Sequence, residues 1–349
     1  MPKARSRLEG VRSGNAPYEF SEGKYCTPMK NKQIAVIGPG RMGLGIALAF
    51  ALNGFKVKIV DGKERTEEQY ETVREKAKEE LRSNVKLLRK IGYLKGSSKE
   101  ILCRISFSHD LGPENFKVPF VFEAIPEKPD WKIELFRRVS PFLAKETILA
   151  STTSTIDLKT LKKGVAHPDK LLITHWLNPA FIIPLVEVAV SDETDGESIA
   201  RMKTILKKIG KVPVVLKDSP GFIIPRIQAL AMNEAIRIFE EGVATAEDID
   251  LAIKTGFAFR LGVLGLLEFV DLGGLDILYY ADDFLYSAFK NERFKKPRLV
   301  EEKMKKGEIG PRTGKGIFDY KDVDVRAVFE KRYKNLIKLL QFMKKNKLL

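Results

Sequence analysis

Between Gln33 and Asp218 the chain alternates short apolar runs with charged stretches of helical period. Seven runs rich in Val and Ile stand out: QIAVIG, KVKIVD, VPFVFEAI, ETILAST, KLLITHW, PLVEVAV and VPVVLKD. Runs of this kind predict strands buried on both faces of a parallel sheet. Thr66–Lys90 and Lys128–Leu143 lie between them with apolar residues three and four apart, which predicts amphipathic helices. The alternation is that of an α/β domain. After Pro220 the strand signals stop. GFIIPRIQALAMNEAIRIFEEGVA predicts one long helix. TAEDIDLAIKTG predicts another, with Thr245 as N-cap, Asp248 three residues on and Gly256 as its stop. GLLEFVDLGGLDILYYADDFLYSAFK continues in helical style.

Composition narrows the class. Apolar residues make up 44% of the 349, enough for a sizeable core. No run approaches the roughly 18–20 apolar residues of a membrane span. Two cysteines, Cys26 in the N-terminal tail and Cys103 in a strand-like run, give no disulfide framework and point to a reducing cytoplasm. The net charge of +15 leaves anionic substrates open, but KERTEEQYETVREKAKEELR mixes both signs as a solvated helix face does. Nucleic acid and membrane are therefore not expected partners. Residues 1–31 are polar and aperiodic, lack a secretory h-region and read as a poorly ordered extension. His109 and His167 fall in loops without metal-ligand spacing, so no metal is expected. Trp131 and Trp176 read as packing residues.

IAVIGPGRMGLGIALAF carries G-x-G-x-x-G as Gly38, Gly40 and Gly43, between an apolar strand and an alanine-rich helix. Gly38 permits the tight turn, Gly40 lets the backbone approach a pyrophosphate, and Gly43 lets helix and strand pack closely. The helix N-terminus, where Arg41 and Met42 lie, offers unpaired N–H groups and a positive dipole end to phosphates. The second strand ends at Asp61, eighteen residues after Gly43. An acid there binds both ribose hydroxyls and repels a 2′-phosphate, which favours NAD over NADP. Lys63 and Arg65 lie nearby. The expected architecture is thus a Rossmann-like, doubly wound, mostly parallel domain over 32–218, followed by an all-α domain over 219–349.

THWLNPAFIIPLVEV places His175 and Glu187 in apolar runs twelve residues apart. Neither setting suits a polar side chain without a partner. Read from the residues alone, His175 is either a core histidine bonded to backbone or a base for proton transfer. A group of pKa near 7 suits the latter in both directions, and a carboxylate on the far ring nitrogen would fix its tautomer.

From Lys32 to Lys321 the chain resembles the 3-hydroxyacyl-CoA dehydrogenase family. The resemblance rests on GPGRMG, VFEAIPE, ASTTST, HWLNP, PLVEV, DSPGFIIPR, EEGVATAEDIDLAIKTG and TGKGIFDY, in that order. It implies an NAD-linked oxidation of a secondary alcohol and a helical C-terminal domain that forms a homodimer. It makes His175 the general base, Glu187 its orienting carboxylate and Ser154 the group bonded to the substrate hydroxyl. Asn178 would support the catalytic loop and substrate, and Glu123 would lie beside the nicotinamide ribose. Two positions depart from the family pattern. Pro225 stands where the family has an asparagine that contacts the reacting oxygen, and Thr152 replaces a second asparagine. The family's CoA-contacting serine and lysine have no clear match, Lys86 being the nearest basic residue. The expected substrate is a 3-hydroxyacyl-CoA; the alternative is a free hydroxy acid, as in similar L-gulonate and carnitine dehydrogenases. A non-catalytic NAD-binding protein with the same fold is the third reading.

Overall fold

The computed structural model describes residues 32–94 and 97–348. The expectations for residues 1–31, Cys26 among them, lie outside the described residues. Eight strands form one sheet: β1 (Gln33–Ile37), β2 (Lys56–Val60), β3 (Ile105–Ser108), β4 (Phe120–Glu123), β5 (Ile148–Ser151), β6 (Leu171–Trp176), β7 (Leu185–Val190) and β8 (Val212–Lys217). Their order is β3-β2-β1-β4-β5-β6-β7-β8. All seven expected runs are strands. The eighth, β3, is a partly exposed edge strand, ISFS, with no continuous apolar run to reveal it.

Not all the strands are parallel. The first six are, but β7 runs antiparallel to β6, and β8 follows β7 in parallel. Only residues 177–184 join β6 to β7. A parallel crossover needs a dozen or more residues, so the shorter link forces the chain to turn back. That reversal sets His175 directly opposite Glu187 in the ladder.

Between the strands run α1 (Arg41–Leu52), α2 (Glu67–Lys90), α3 (Ser98–Leu102), α4 (Pro129–Val139), α5 (Leu158–Leu161) and α6 (Gly196–Lys208). Nine consecutive residues of α1, from Gly43 to Ala51, are buried, which its small and aliphatic side chains permit. Thr66 and Gln69 close a capping box on α2. From α4, Leu135, Phe136 and Val139 join Ile37, Val60, Val121, Leu149 and Ile173 in one core cluster. Cys103 is exposed and follows α3 rather than lying inside a strand.

The remainder is helical: α7 (Ile224–Glu240), α8 (Ala246–Ala252), α9 (Ala258–Leu261), α10 (Leu266–Gly273), α11 (Leu275–Phe289), α12 (Arg298–Lys305) and α13 (Val325–Lys345). By contacts the described chain divides at Met232, within α7. Thr245 caps α8 by accepting from the Asp248 amide. Gly256 does not stop that helix. It lies in a widened turn, Ile253–Phe257, that leads directly into α9. Gly274, at φ +103°, breaks the next apolar stretch into α10 and α11. The TGKGIFDY segment folds onto α10. There buried Asp271 accepts from the amides of Ile317 and Phe318, both at 2.9 Å, and from the Tyr320 hydroxyl at 3.2 Å. A Cβ at Gly316 would lie 2.5 Å from that carboxylate, so the close approach requires glycine. Burial, with the charge of Asp271 beside it, pushes the Tyr320 phenol up. No helix among the described residues is long and apolar enough to cross a membrane.

Candidate active site

His175 and Glu187 meet across the antiparallel pair, with Nδ1 of the ring 2.7 Å from Oε2 of the carboxylate. The histidine is 6% exposed and the glutamate 1%. The second oxygen, Oε1, accepts from the backbone amides of Ile223 and Ile224, both at 2.9 Å. These amides open α7, so a helix N-terminus holds the charge as well. Burial pushes the Glu187 carboxyl up, but the His175 hydrogen bond and the two amides outweigh it, and the group lies below the usual carboxylate range. An ionised carboxylate only accepts, so Nδ1 is the donor of this contact, and in the neutral ring the lone pair falls on Nε2. Phe222, at φ +46°, packs against the ring with centroids 5.4 Å apart. Pro225 is the second residue of α7, a first-turn position where a missing N–H costs little.

The depressed folded pKa of Glu187 fixes the sign of a pH effect. Its contribution to stability is complete above its ordinary value of 4.5 and is lost as pH falls through and below that value. A Glu187→Gln variant is therefore expected to show a flatter dependence of melting temperature on pH below 4.5 than the parent. Parallel curves for the two proteins would contradict this.

Ser154 lies in the loop after β5, at the same C-terminal end of the parallel pair as His175 on the neighbouring strand. It does not cap a helix, because Asp157 caps α5. Its partner is a residue that the sequence reading passed over, Glu127. Oε1 of Glu127 accepts from the Ser154 amide at 2.8 Å, from the Thr155 amide at 3.0 Å and from the hydroxyls of Thr153 and Thr155. The Ser154 hydroxyl is 3.4 Å away. Burial raises this carboxyl, but the Thr153 hydroxyl, the Lys132 charge, the Ser154 amide and the Thr155 hydroxyl outweigh it and hold the group below the usual carboxylate range. The available signal was a second acid, just past the strand end, in VFEAIPE.

Glu123, which the resemblance sets beside the nicotinamide ribose, is the last residue of β4. It is 0% exposed. One oxygen receives Lys132 Nζ at 2.6 Å and the Ile125 amide at 2.8 Å, and the other receives the Ser151 hydroxyl at 2.6 Å. Its hydrogen-bonding capacity is directed inward, where it ties α4 and β5 to the end of β4. Asn178 is exposed in the turn three residues after His175.

The glycine loop borders a cavity of about 690 Å³ lined by Gly38, Gly40, Arg41, Met42, Asp61 and Trp131, among others. It lies at the C-terminal ends of β1 and β4, where the strand order reverses, the switch point at which such folds bind ligands. Gly38 has φ +110°, and a Cβ there would lie 2.6 Å from the Ala124 carbonyl oxygen. A Cβ at Gly43 would lie 2.0 Å from the Gly38 carbonyl oxygen. Gly40, by contrast, faces open space and has no side-chain cap bond to the first amides of α1. Two glycines thus shape the loop while the third leaves room above a row of donors, which fits a pyrophosphate. Asp61 stands at the end of β2, where a ribose hydroxyl pair would reach it. Trp131 is not a core residue: it is 43% exposed on the rim, with Lys128 Nζ 4.2 Å and Lys63 Nζ 5.4 Å from its ring centroid. Trp176 does pack inside, against Phe50 and Phe122. No group of His, Cys, Asp and Glu suited to a metal ion occurs among the described residues.

Comparison with known proteins gives this geometry a context. Residues 33–219 match the model of the 3-hydroxyacyl-CoA dehydrogenase NAD binding domain, and residues 221–320 match that of the C-terminal domain. The chain is 32% identical to the mitochondrial hydroxyacyl-coenzyme A dehydrogenase of Sus scrofa, over 83% of this chain and 91% of that one. It is 29% identical to the 5-formyl-3-hydroxy-2-methylpyridine 4-carboxylate 5-dehydrogenase of Mesorhizobium japonicum, over 88% and 96%. Among solved structures it resembles a 3-hydroxyacyl-CoA dehydrogenase of Archaeoglobus fulgidus, with a TM-score of 0.71 and 33% identity, covering 89% of this chain and 99% of that one.

Proposed function

The chain belongs to the 3-hydroxyacyl-CoA dehydrogenase family and is an NAD-dependent oxidoreductase, and from that premise we propose that it oxidises the 3-hydroxyl of a 3-hydroxyacyl-CoA, with His175 as general base. The observation that carries the proposal is the 2.7 Å contact between His175 Nδ1 and Glu187. It leaves Nε2 free to take the hydroxyl proton. As the ring becomes imidazolium, the adjacent carboxylate stabilises the new charge. Bound NAD supplies the hydride acceptor.

The other residues bind and orient. The amides after Gly40, at Arg41, Met42 and Gly43, face the pyrophosphate, and Asp61 takes the ribose hydroxyls. Ser154 donates its hydroxyl to the reacting oxygen from a loop held by Glu127, and Asn178 borders the substrate. In the reverse direction the imidazolium of His175 returns the proton.

A coupled NADH assay tests the substrate. 3-Hydroxybutyryl-CoA is expected to exceed 3-hydroxybutyrate, L-gulonate and carnitine in kcat/KM by more than about a hundredfold, because the remote CoA moiety contributes binding energy to the reacting centre. Turnover of the free acids alone would overturn the CoA assignment. Two observations favour that second reading: Pro225 offers no side-chain donor, and the similar Mesorhizobium japonicum protein is named for a pyridine carboxylate.

The helical unit presents Met232, Ile236, Phe239, Ile277, Tyr280 and Phe284, each more than half exposed. A second copy is the proposed cover, giving a cytoplasmic homodimer. Light scattering behind size exclusion is expected to give twice the 39.4 kDa chain mass, and a monomer at micromolar concentration would contradict it.

A further inference from the structure

An acid at the end of the second strand normally excludes a 2′-phosphate through its charge. In this chain that charge is already matched. Asp61 is 4% exposed, and Arg65 Nε lies 2.5 Å from its Oδ2. The Lys63 amide donates to Oδ1 at 3.1 Å. The Arg65 side chain is still 22% exposed, and Asp61 is its one carboxylate partner among the described residues. A guanidinium held through Nε keeps its terminal amino groups for a second anion.

The surroundings have the same bias. Glu64 faces Arg138 at 3.6 Å, so these two charges offset each other. Lys63 has no ion-pair partner among the described residues, and its ammonium lies over the Trp131 ring. Nor does the space end at the carboxylate. A second cavity of about 670 Å³ shares Asp61, Lys63, Glu64, Arg65 and Arg138 with the first and adds His109 and Asp110. A group larger than a hydroxyl therefore has room beside Asp61, with two cations to meet it.

We propose that the dinucleotide site also accepts the 2′-phosphorylated cofactor, NADP(H), with Arg65 and Lys63 binding the phosphate. Arg65 keeps Nε on Asp61 and turns its terminal amino groups to the phosphate oxygens, a charge-assisted, forked contact. Asp61 remains to bind the hydroxyls of NAD, so NAD stays preferred by a modest ratio. The inference rests on the glycine-loop cavity being the dinucleotide site.

Calorimetric titration of the full chain with NADH and NADPH tests it. In the parent, NADPH is expected to bind within about thirtyfold of NADH, a gap small beside that of an unmatched acid. Arg65→Ala is expected to widen the ratio of the two dissociation constants by at least about tenfold, and Arg65→Lys by less, since lysine keeps the charge but not the fork. NADPH affinity is also expected to fall more steeply with salt than NADH affinity. No NADPH binding at a thousandfold the NADH dissociation constant, or an Arg65→Ala ratio equal to the parent's, would overturn the proposal. Loss of NADH binding by the parent itself would instead overturn the reading of the cavity as the dinucleotide site.

Discussion

A His175→Asn variant is expected to lose roughly 10²- to 10⁴-fold in kcat, the range for removing a general base. Asparagine is uncharged at all working pH values and cannot accept the hydroxyl proton, so the alkoxide would have to form without a base beside it. The loss should fall on the chemical step. Stopped-flow appearance of NADH in a single turnover is expected to slow by the same factor as kcat, while NADH binding, set at the glycine loop, changes little. The fold is expected to survive, because the asparagine amide can donate to Glu187 in place of the ring and both backbone donors, Ile223 and Ile224, remain. A loss smaller than about tenfold would mean that the base lies elsewhere.

The second large effect is on stability. Lys132 and Glu123 form an ion pair at 2.6 Å with side chains 1% and 0% exposed. Removing one partner of such a pair leaves an uncompensated buried charge and costs about 3–5 kcal/mol. Lys132→Met keeps most of the volume and strips the charge. Glu123 is then left with the Ser151 hydroxyl and the Ile125 amide, too few donors to hold a carboxylate in the core. Urea unfolding is expected to show the midpoint falling without a change in slope. Adding Glu123→Gln should recover part of the loss, because the pair rather than either charge is what the core tolerates. A single variant that unfolds at the parent's midpoint would show that the network does not hold the fold. The same change reaches the site indirectly: Lys132 Nζ is 3.6 Å from Glu127, whose other oxygen gathers the Ser154 loop.

Much of this molecule was legible in its sequence because six of its eight strands are largely buried and so appear as continuous apolar runs, whereas β3 and β8 are partly exposed. The glycine loop was legible for a related reason: at Gly38 and Gly43 a Cβ would strike backbone, so the residue type itself is evidence. Strand direction was less visible. β7 reads like its parallel neighbours, and only the short link after Trp176 distinguishes it. The two glutamates of VFEAIPE show a different limit. Both follow the same apolar run, but one points into the core against Lys132 and the other lies under the serine loop. Four residues of separation across a strand end do not tell which. The amides that hold Glu187 carry no side-chain signature at all, and Gly256 looked like a helix stop where the chain has a widened turn. Contacts made by backbone and by distant partners are what pattern reading leaves out.

During catalysis Nε2 of His175 is expected to face the reacting oxygen. A crystal structure of the complex with NADH and the competent keto substrate tests it most directly. Nε2 is expected within about 2.6–3.2 Å of that oxygen, or one water away, with the Glu187 contact intact. A substrate oxygen bound out of reach of the ring, with some other titratable group beside it, would contradict it.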